Sequence, residues 1–194
     1  MLKHTFAALT FAAALTGTSA LAAAEKYVLD ASHSQILFSY DHLGFSTTWG
    51  MFSGFDGEIM FDQEDPAASS VTVSMPVRSM FTGWEGRFDH FMSDDFFGAT
   101  EEDMVTFTST AIEVTGDDTA LITGDLTMNG ITQSVVLDAT LNQAGDHPME
   151  NKPWAGFDAT TTVLRSDFEV GAFAPFVSDE VEIRISIEAM KADE

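Results

Sequence analysis

Residues 33–62, HSQILFSYDHLGFSTTWGMFSGFDGEIMFD, decide how this chain is read. In their first part Ile36, Phe38 and Tyr40 alternate with Leu37, Ser39 and Asp41. In their last part Phe55, Gly57, Ile59 and Phe61 alternate with Asp56, Glu58, Met60 and Asp62. Successive side chains of a strand point to opposite faces, so these are two strands with one apolar face each. Gly44 to Gly50, rich in Gly, Thr and Ser, lies between them as the connection. A single hairpin is only marginally stable in water, so the rest of the chain must supply the other walls of the same enclosure.

The same alternation recurs downstream. Val71, Val73, Met75 and Val77 form a third apolar row, with Pro76 at a strand end or edge because it cannot donate to a ladder. Met104 to Val114 is another strand, and its phase shifts between Val105/Phe107 and Ile112/Val114, which predicts a bulge. Ile122, Gly124, Leu126 and Met128 lead into Asn129-Gly130, and Ile131, Val135, Leu137 and Ala139 lead away, with Gln133 the polar exception. Asn-Gly favours a type I′ turn, which puts Met128 opposite Ile131 and Ile122 opposite Leu137. After a loop at Gln143–Pro153, the last strands are Phe157–Leu164 and Val181–Met190. One segment breaks the rule: Trp84, Phe88, Phe91 and Met92 have helical spacing, so Glu85–Ser93 is a short helix over one opening of the sheet. About seven or eight one-faced antiparallel strands fit a closed barrel or a two-sheet sandwich, and the pattern alone does not separate the two.

The first 24 residues stand apart. Lys3 and His4 precede an apolar run, Phe6–Leu15, and then small residues up to Ala24. Basic, apolar, small is the order of a cleaved signal peptide, and the run is too short for a bilayer span. Residues 25–194 then form one domain, exported to the periplasm, with cleavage after Ala22 or Ala24. The chain has no Cys, so neither disulfides nor a lipidated cysteine apply. All 31 acidic residues and only seven of the eight basic ones follow Ala24, a net charge of −24. Such a chain repels nucleic acid and anionic lipid surfaces, and its acidity reads first as a solvated, aggregation-resistant surface. No stable membrane insertion is expected, and a homodimer is compatible with the sequence.

Taken in order, YVLDASHSQILFSYDHLGFSTTWGMFSGFDGEIMFD, GRFDHFMSDDFF with VTFTST after it, GDLTMNGITQSVVL, and LRSDFEVG followed by SDEVEIRISIEA resemble the YceI family of exported lipocalin-like proteins. They span nearly all of residues 25–194. The resemblance implies an all-β fold, an eight-stranded antiparallel lipocalin-like barrel with a short helical insertion and a long apolar cavity. It also implies a polyisoprenoid lipid or similar amphiphile, isoprenoid quinones included, as ligand. One position departs from the family pattern: Glu169 stands where Gly usually follows Ser-Asp-Phe.

Catalytic and metal chemistry find little support. His33, His42, His90 and His147 show no paired ligand spacing, so no metal is expected. Asp30 beside Ser32-His33-Ser34 invites a triad, but strand neighbours face opposite ways and no Gly-x-Ser-x-Gly elbow is present. Asp94-Asp95 and Glu101-Glu102-Asp103 match no EF-hand and read as solvated surface. Arg87 and Arg165 are each expected to have a carboxylate partner and a structural role, with a ligand headgroup as the other use.

The expectation is a binding protein, not an enzyme, whose only ligand is a hydrophobic small molecule, an isoprenoid lipid with a neutral head such as a quinone. A small hydrolase and an unliganded adhesive sandwich are the rival readings. Alternation nominates Phe38, Tyr40, Phe52, Phe55, Phe107, Leu126, Leu137, Phe157 and Ile185 as lining residues, with Phe45 and Trp49 at the entrance beside Gly44 and Tyr40, His42 or Trp49 as donors to the head. At −24 the folded chain repels itself, and salt screens that repulsion over about 10 Å at 0.1 M. The melting temperature should therefore rise between low and moderate sodium chloride; a flat or falling trend would show the acids already offset.

Overall fold

The computed structural model describes residues 23–193. The candidate signal peptide lies outside the described residues, apart from Ala23 and Ala24. The strands are β1 (Glu25–Leu29), β2 (Gln35–His42), β3 (Ser46–Phe52), β4 (Asp56–Phe61), β5 (Ser70–Pro76), β6 (Met104–Val114), β7 (Thr119–Met128), β8 (Ile131–Asp146), β9 (Pro153–Leu164) and β10 (Glu180–Lys191). One helix, α1 (Glu85–Met92), sits between β5 and β6.

All pairings are antiparallel, in the order β1-β4-β5-β6-β7-β8-β9-β10, and β1 pairs again with β10 to close the ring. The closed ring decides between barrel and sandwich: this is an eight-stranded barrel. The remaining strands extend it. β2 lies on the same edge of β10 as β1, with Leu29 opposite Ala189 and Gln35 opposite Ser186. β1 and β2 are thus two halves of one stave. β3 and β4 are the halves of the next, pairing with β2 and β1 respectively. Ten strands occupy eight stave positions.

The opening stretch is therefore corrected in part. Residues 44–50 are not merely a connection: Ser46–Phe52 is β3, and it is β3, not β4, that forms the hairpin with β2. The inward row of β3 is Thr48, Gly50 and Phe52, so only one residue of the row is apolar and large. Gly50 lies directly opposite Phe38, whose ring occupies the space a side chain at Gly50 would fill. β1 was also missed, being only five residues long. The expected loop at Gln143–Pro153 is shorter, because β8 runs on to Asp146 through a register shift between Leu141 and Gln143.

Elsewhere pattern and structure agree. β6 spans Met104–Val114 and carries its bulge between Ser109 and Ala111. Met128 faces Ile131 and Ile122 faces Leu137. Asn129 and Gly130 have φ of 53° and 73°, the two positive values a type I′ turn requires. Pro76 ends β5, which has partners on both sides. Along β10 Val181, Ile183, Ile185 and Ile187 alternate with Glu182, Arg184, Ser186 and Glu188, the apolar row facing the lumen and the polar row outward. Membrane-spanning barrels show the reverse alternation, and among the described residues no helix is long and apolar enough to cross a bilayer.

One end of the barrel is closed by packing. Met92 of α1 is buried, Phe88 and Phe91 pack on the core, and the Phe91 ring lies 6.2 Å from Tyr40. Phe168, in a 3-10 turn at Arg165–Phe168, is 1% exposed and joins the same plug. Asn129 and Gln133 donate side-chain N–H groups to the Phe168 and Asp167 carbonyls, which explains why Gln133 interrupts an apolar row. Arg165 ties the chain between this turn and β10 together, donating to the carbonyls of Val170, Ala172, Val177 and Ser178 at 2.7–3.1 Å.

Glu169, the position that departs from the resemblance, adopts the left-handed conformation, φ 57° and ψ 25°, as the cap of that turn. A non-glycine residue there costs roughly 1–2 kcal/mol, partly offset by the greater freedom of Gly in the unfolded chain. The Glu169 side chain is exposed and loses no packing on removal. Glu169→Gly should stabilise the protein by about 0.5–1 kcal/mol in urea unfolding; a loss of stability would mean that the carboxylate holds a contact of its own.

Candidate functional site

The inward rows of the staves enclose an apolar cavity of about 240 Å³. Its walls come from Ile36 and Phe38 of β2, Val71 and Val73 of β5, Ile122 and Leu126 of β7, Val135 and Leu137 of β8, Phe157 of β9, and Ile183 to Ile187 of β10. Many of these are only half-buried although they point inward, because they face the lumen rather than one another. Along β7 the lining runs from Ala120 to Met128, which at ~3.3 Å per residue and a tilt near 40° gives a lumen roughly 20 Å deep.

Two glycines shape the wall. A Cβ at Gly50 would come within 2.2 Å of the Phe38 ring, and one at Gly124 within 2.3 Å of the Phe107 ring. Both rings thus lie against the backbone of a neighbouring strand, where a side chain would have pushed them into the lumen. Phe52 supports Phe38 from the side, their centroids 5.6 Å apart.

The lining reaches exposed residues at one end. There it includes Pro66 and Ser69 between β4 and β5, Ser70 at the start of β5, Gly116 to Asp118 between β6 and β7, and Thr119 at the start of β7. This is the mouth. The charged side chains at this end are those of Asp117 and Asp118, since Asp158 pairs with Ser186 in the outward row; among the described residues no Lys, Arg or His lines the cavity. The hydroxyl donors near it are Ser69, and Ser70 and Thr119 at the strand ends. Ser69 accepts a hydrogen bond from Asp62 N–H, which leaves its own O–H to donate.

Eight of the nominated lining residues surround this cavity: Phe38, Phe52, Phe55, Phe107, Leu126, Leu137, Phe157 and Ile185. The others lie elsewhere. Tyr40 belongs to the plugged end, packed toward Phe91. His42 bridges to Val177, and Phe45 and Trp49 are exposed, 89% and 49%, at that same far end. The expected entrance at Phe45 and Trp49 is therefore at the wrong end, because the helix and the Arg165 turn fill it. Nor do the arginines reach the lumen. Arg165 has backbone carbonyls rather than a carboxylate as its hydrogen-bond partners, and burial pushes its pKa down. Arg87 donates to the Thr82 carbonyl at 2.8 Å, which fastens α1 to the loop before it. The mouth itself went unnoticed in the sequence, since its residues are turn residues; the one signal was the phase shift that carries Ile112 and Val114 inward.

The triad candidate can now be judged on geometry. His33 Nδ1 lies 2.6 Å from Asp30 Oδ2, and Ser32 Oγ lies 3.1 Å from the same Nδ1 while donating to Asp30 Oδ1 at 2.7 Å. A relay needs the hydroxyl on one ring nitrogen and the carboxylate on the other. Here both meet the same nitrogen, so Ser32 cannot pass a proton across the ring to Asp30. Burial pushes the Asp30 carboxyl up, but hydrogen bonds from His33 and Ser32 outweigh it and hold it below its usual value; the Asp30 hydrogen bond raises His33.

A YceI-like domain model matches residues 27–189. The chain belongs to the YceI family. A UPF0312 protein of Ectopseudomonas mendocina is 39% identical over 193 residues, covering 98% of this chain and all of the relative. Protein YceI of Shigella flexneri is 39% identical over 191 residues, covering 98% and 97%. Among solved structures, Burkholderia cenocepacia BcnA superposes with a TM-score of 0.74 at 27% identity, covering 82% of this chain and 98% of that one. A polyisoprenoid binding domain from Saccharophagus degradans has a TM-score of 0.67 at 14% identity, covering 86% and 98%, and so shares the fold.

The glycine-backed rings make a prediction. Gly50→Ala should turn the Phe38 ring into the lumen, at a stability cost of about 1–3 kcal/mol for overpacking. In Gly50→Ala/Phe38→Leu most of that cost should return. Strictly additive effects of the two substitutions, read from urea midpoints, would show that the ring and Gly50 are not coupled.

Proposed function

We propose that this YceI-family chain is an exported, non-catalytic carrier that holds a neutral isoprenoid lipid, such as a quinone, in its barrel, in the periplasm. The observation that carries this reading is the pairing of an apolar lumen with an acidic mouth that, among the described residues, has no cation in its lining. The lumen is smaller than the roughly 300–1,000 Å³ of pockets for compact drug-sized ligands. Its depth of several turns of strand and its narrow bore suit a chain rather than a compact ring system. A tail entering it gains about 0.8 kcal/mol per buried CH₂, so retention needs no head charge.

The head is then left among Asp117, Asp118 and the hydroxyls of Ser69, Ser70 and Thr119. A pyrophosphate would meet like charge there and find no cation to offset its desolvation. A quinone needs one or two hydrogen-bond donors, which the hydroxyls supply. Tyr40, His42 and Trp49 are no longer required for that role. The Saccharophagus domain, described as polyisoprenoid binding, adds a precedent for this ligand class on the same fold. Carriage, storage and sequestration are all served by such a site, and export by the leader-like order of residues 1–24.

The test is solvent extraction of the protein purified from its native periplasm, followed by mass spectrometry. A neutral isoprenoid lipid should be the main species, and Leu137→Asp, with a charge set in the lumen wall, should retain far less of it while remaining folded by circular dichroism. A polyprenyl pyrophosphate as main species would overturn the neutral head. Recovery of no lipid would overturn the carrier reading.

A further inference from the structure

The corner between β1 and β2 gathers ligand atoms from two distant parts of the chain. Asp30, His33 and Glu188 each present one oxygen or nitrogen, all within 4.8 Å of one another. Spacing along the sequence could not reveal this, because Glu188 belongs to the outward row of β10. The backbone holds the three in place. Asp30 N–H donates to the Glu188 carbonyl at 2.8 Å, and buried Ser34 links to the same residue through both its Oγ and the Glu188 N–H. The side chains are also oriented. Trp154 Nε1–H donates to Glu188 Oε2 at 2.9 Å, leaving Oε1 available. Ser32 holds Asp30 through its N–H and its hydroxyl, leaving Oδ2 toward His33.

We propose that Asp30, His33 and Glu188 form a binding site for a divalent transition metal, with Zn²⁺ the best fit. One imidazole and two carboxylates make a borderline donor set. It favours Zn²⁺ over Mg²⁺ or Ca²⁺, which prefer all-oxygen cages of six or more ligands. Zinc–ligand distances near 2.0–2.2 Å place tetrahedral ligands roughly 3.3 Å apart. The cluster must therefore open slightly between Asp30 and His33 and draw in at Glu188. His33 is two-thirds exposed on a turn and has the freedom to do this. The metal replaces the proton that His33 Nδ1 shares with Asp30, so binding releases a proton and weakens as pH falls. The fourth position falls to water. Trp154 is the outer partner that orients a ligating carboxylate, as metal sites usually require.

The location gives the site a consequence. β1 meets β10 through only three register pairs, Tyr27–Lys191, Val28–Met190 and Leu29–Ala189, and this short seam closes the barrel. A metal shared by Asp30, His33 and Glu188 would bolt the seam at its end, beside the break where β1 gives way to β2. The strongly acidic chain raises the local concentration of divalent cations around it.

Zinc titration by calorimetry of the full mature protein, freed of metal with EDTA, is the test, with melting temperature read alongside. The expectation is one Zn²⁺ per chain at neutral pH, a rise in melting temperature, and a Kd weakened about tenfold or more in each of His33→Gln, Glu188→Gln and Trp154→Phe. Imidazole resonances of His33, not those of His42, His90 or His147, should shift on binding. Unchanged zinc affinity in His33→Gln and Glu188→Gln would overturn the site. So would an equal response to Mg²⁺, which would mean an adventitious counter-ion only, and so would the absence of any zinc heat.

Discussion

Everything in this barrel hangs on β10. Its twelve residues pair with β9 along one edge and with β1 and β2, end to end, along the other. No other strand is asked to hold three neighbours. A strand that stopped at Ser186 would keep β9 and β2 but release β1, and the ring would open. Closure removes the exposed edges that an antiparallel sheet otherwise carries. The price is a strict rule along β10: an apolar residue at every inward position and a polar one at every outward position, which Val181 to Ala189 obeys without exception.

A closed ring of eight staves has room for side chains or for one ligand, and this chain leaves the room partly unfilled. Gly50 and Gly124 let two phenylalanines lie flat on the wall, and Ala139 and Ala159 keep the wall thin where β8 and β9 face each other. At roughly 24 cal/mol per Å³, leaving some 240 Å³ of apolar space unpacked costs on the order of 6 kcal/mol. That is comparable with the whole stability of a small domain. A sequence under selection for stability alone would fill the space with larger side chains at lumen-facing positions such as Ala139 and Ala159. The retained cavity, and the energy a tail recovers by entering it, argue for a ligand more directly than the count of phenylalanines does.

How much of this was legible in advance depended on which rule placed each residue. Period-two alternation marked the lining rows of β5, β7, β9 and β10, and the Asn129-Gly130 pair fixed the register of β7 against β8, because in both cases the local signal and the tertiary contact coincide. It failed for β3, whose inward positions hold Thr48 and Gly50: the apolar group that covers Gly50 is Phe38, on another strand, and no window along β3 contains it. The mouth and the plug escaped for a related reason. Which end of a barrel is open depends on what the turns pack against, and Met92 of α1 and Phe168 of the Arg165 turn join one core only through the tertiary fold. Arg165 was expected to seek a carboxylate, as an arginine in so acidic a chain would; the fold instead offered it four carbonyls of a tight loop. The family resemblance supplied the barrel but not the direction in which it opens.

Charge and cavity are linked through the scarcity of cations. Of the seven basic residues after Ala24, Lys26, Arg78, Lys152 and Lys191 make ion pairs with Glu58, Glu101, Asp193 and Glu25, while Arg87 and Arg165 are spent on carbonyls. The exposed pairs add little stability individually. Their effect is rather to commit six of the seven cations to outer surfaces and turns. None of these cations pairs with Asp117 or Asp118, the acidic side chains at the mouth. On the proposed carrier reading, the acidic side chains at the mouth already oppose an anionic head, so no residue inside the lumen is needed to read it.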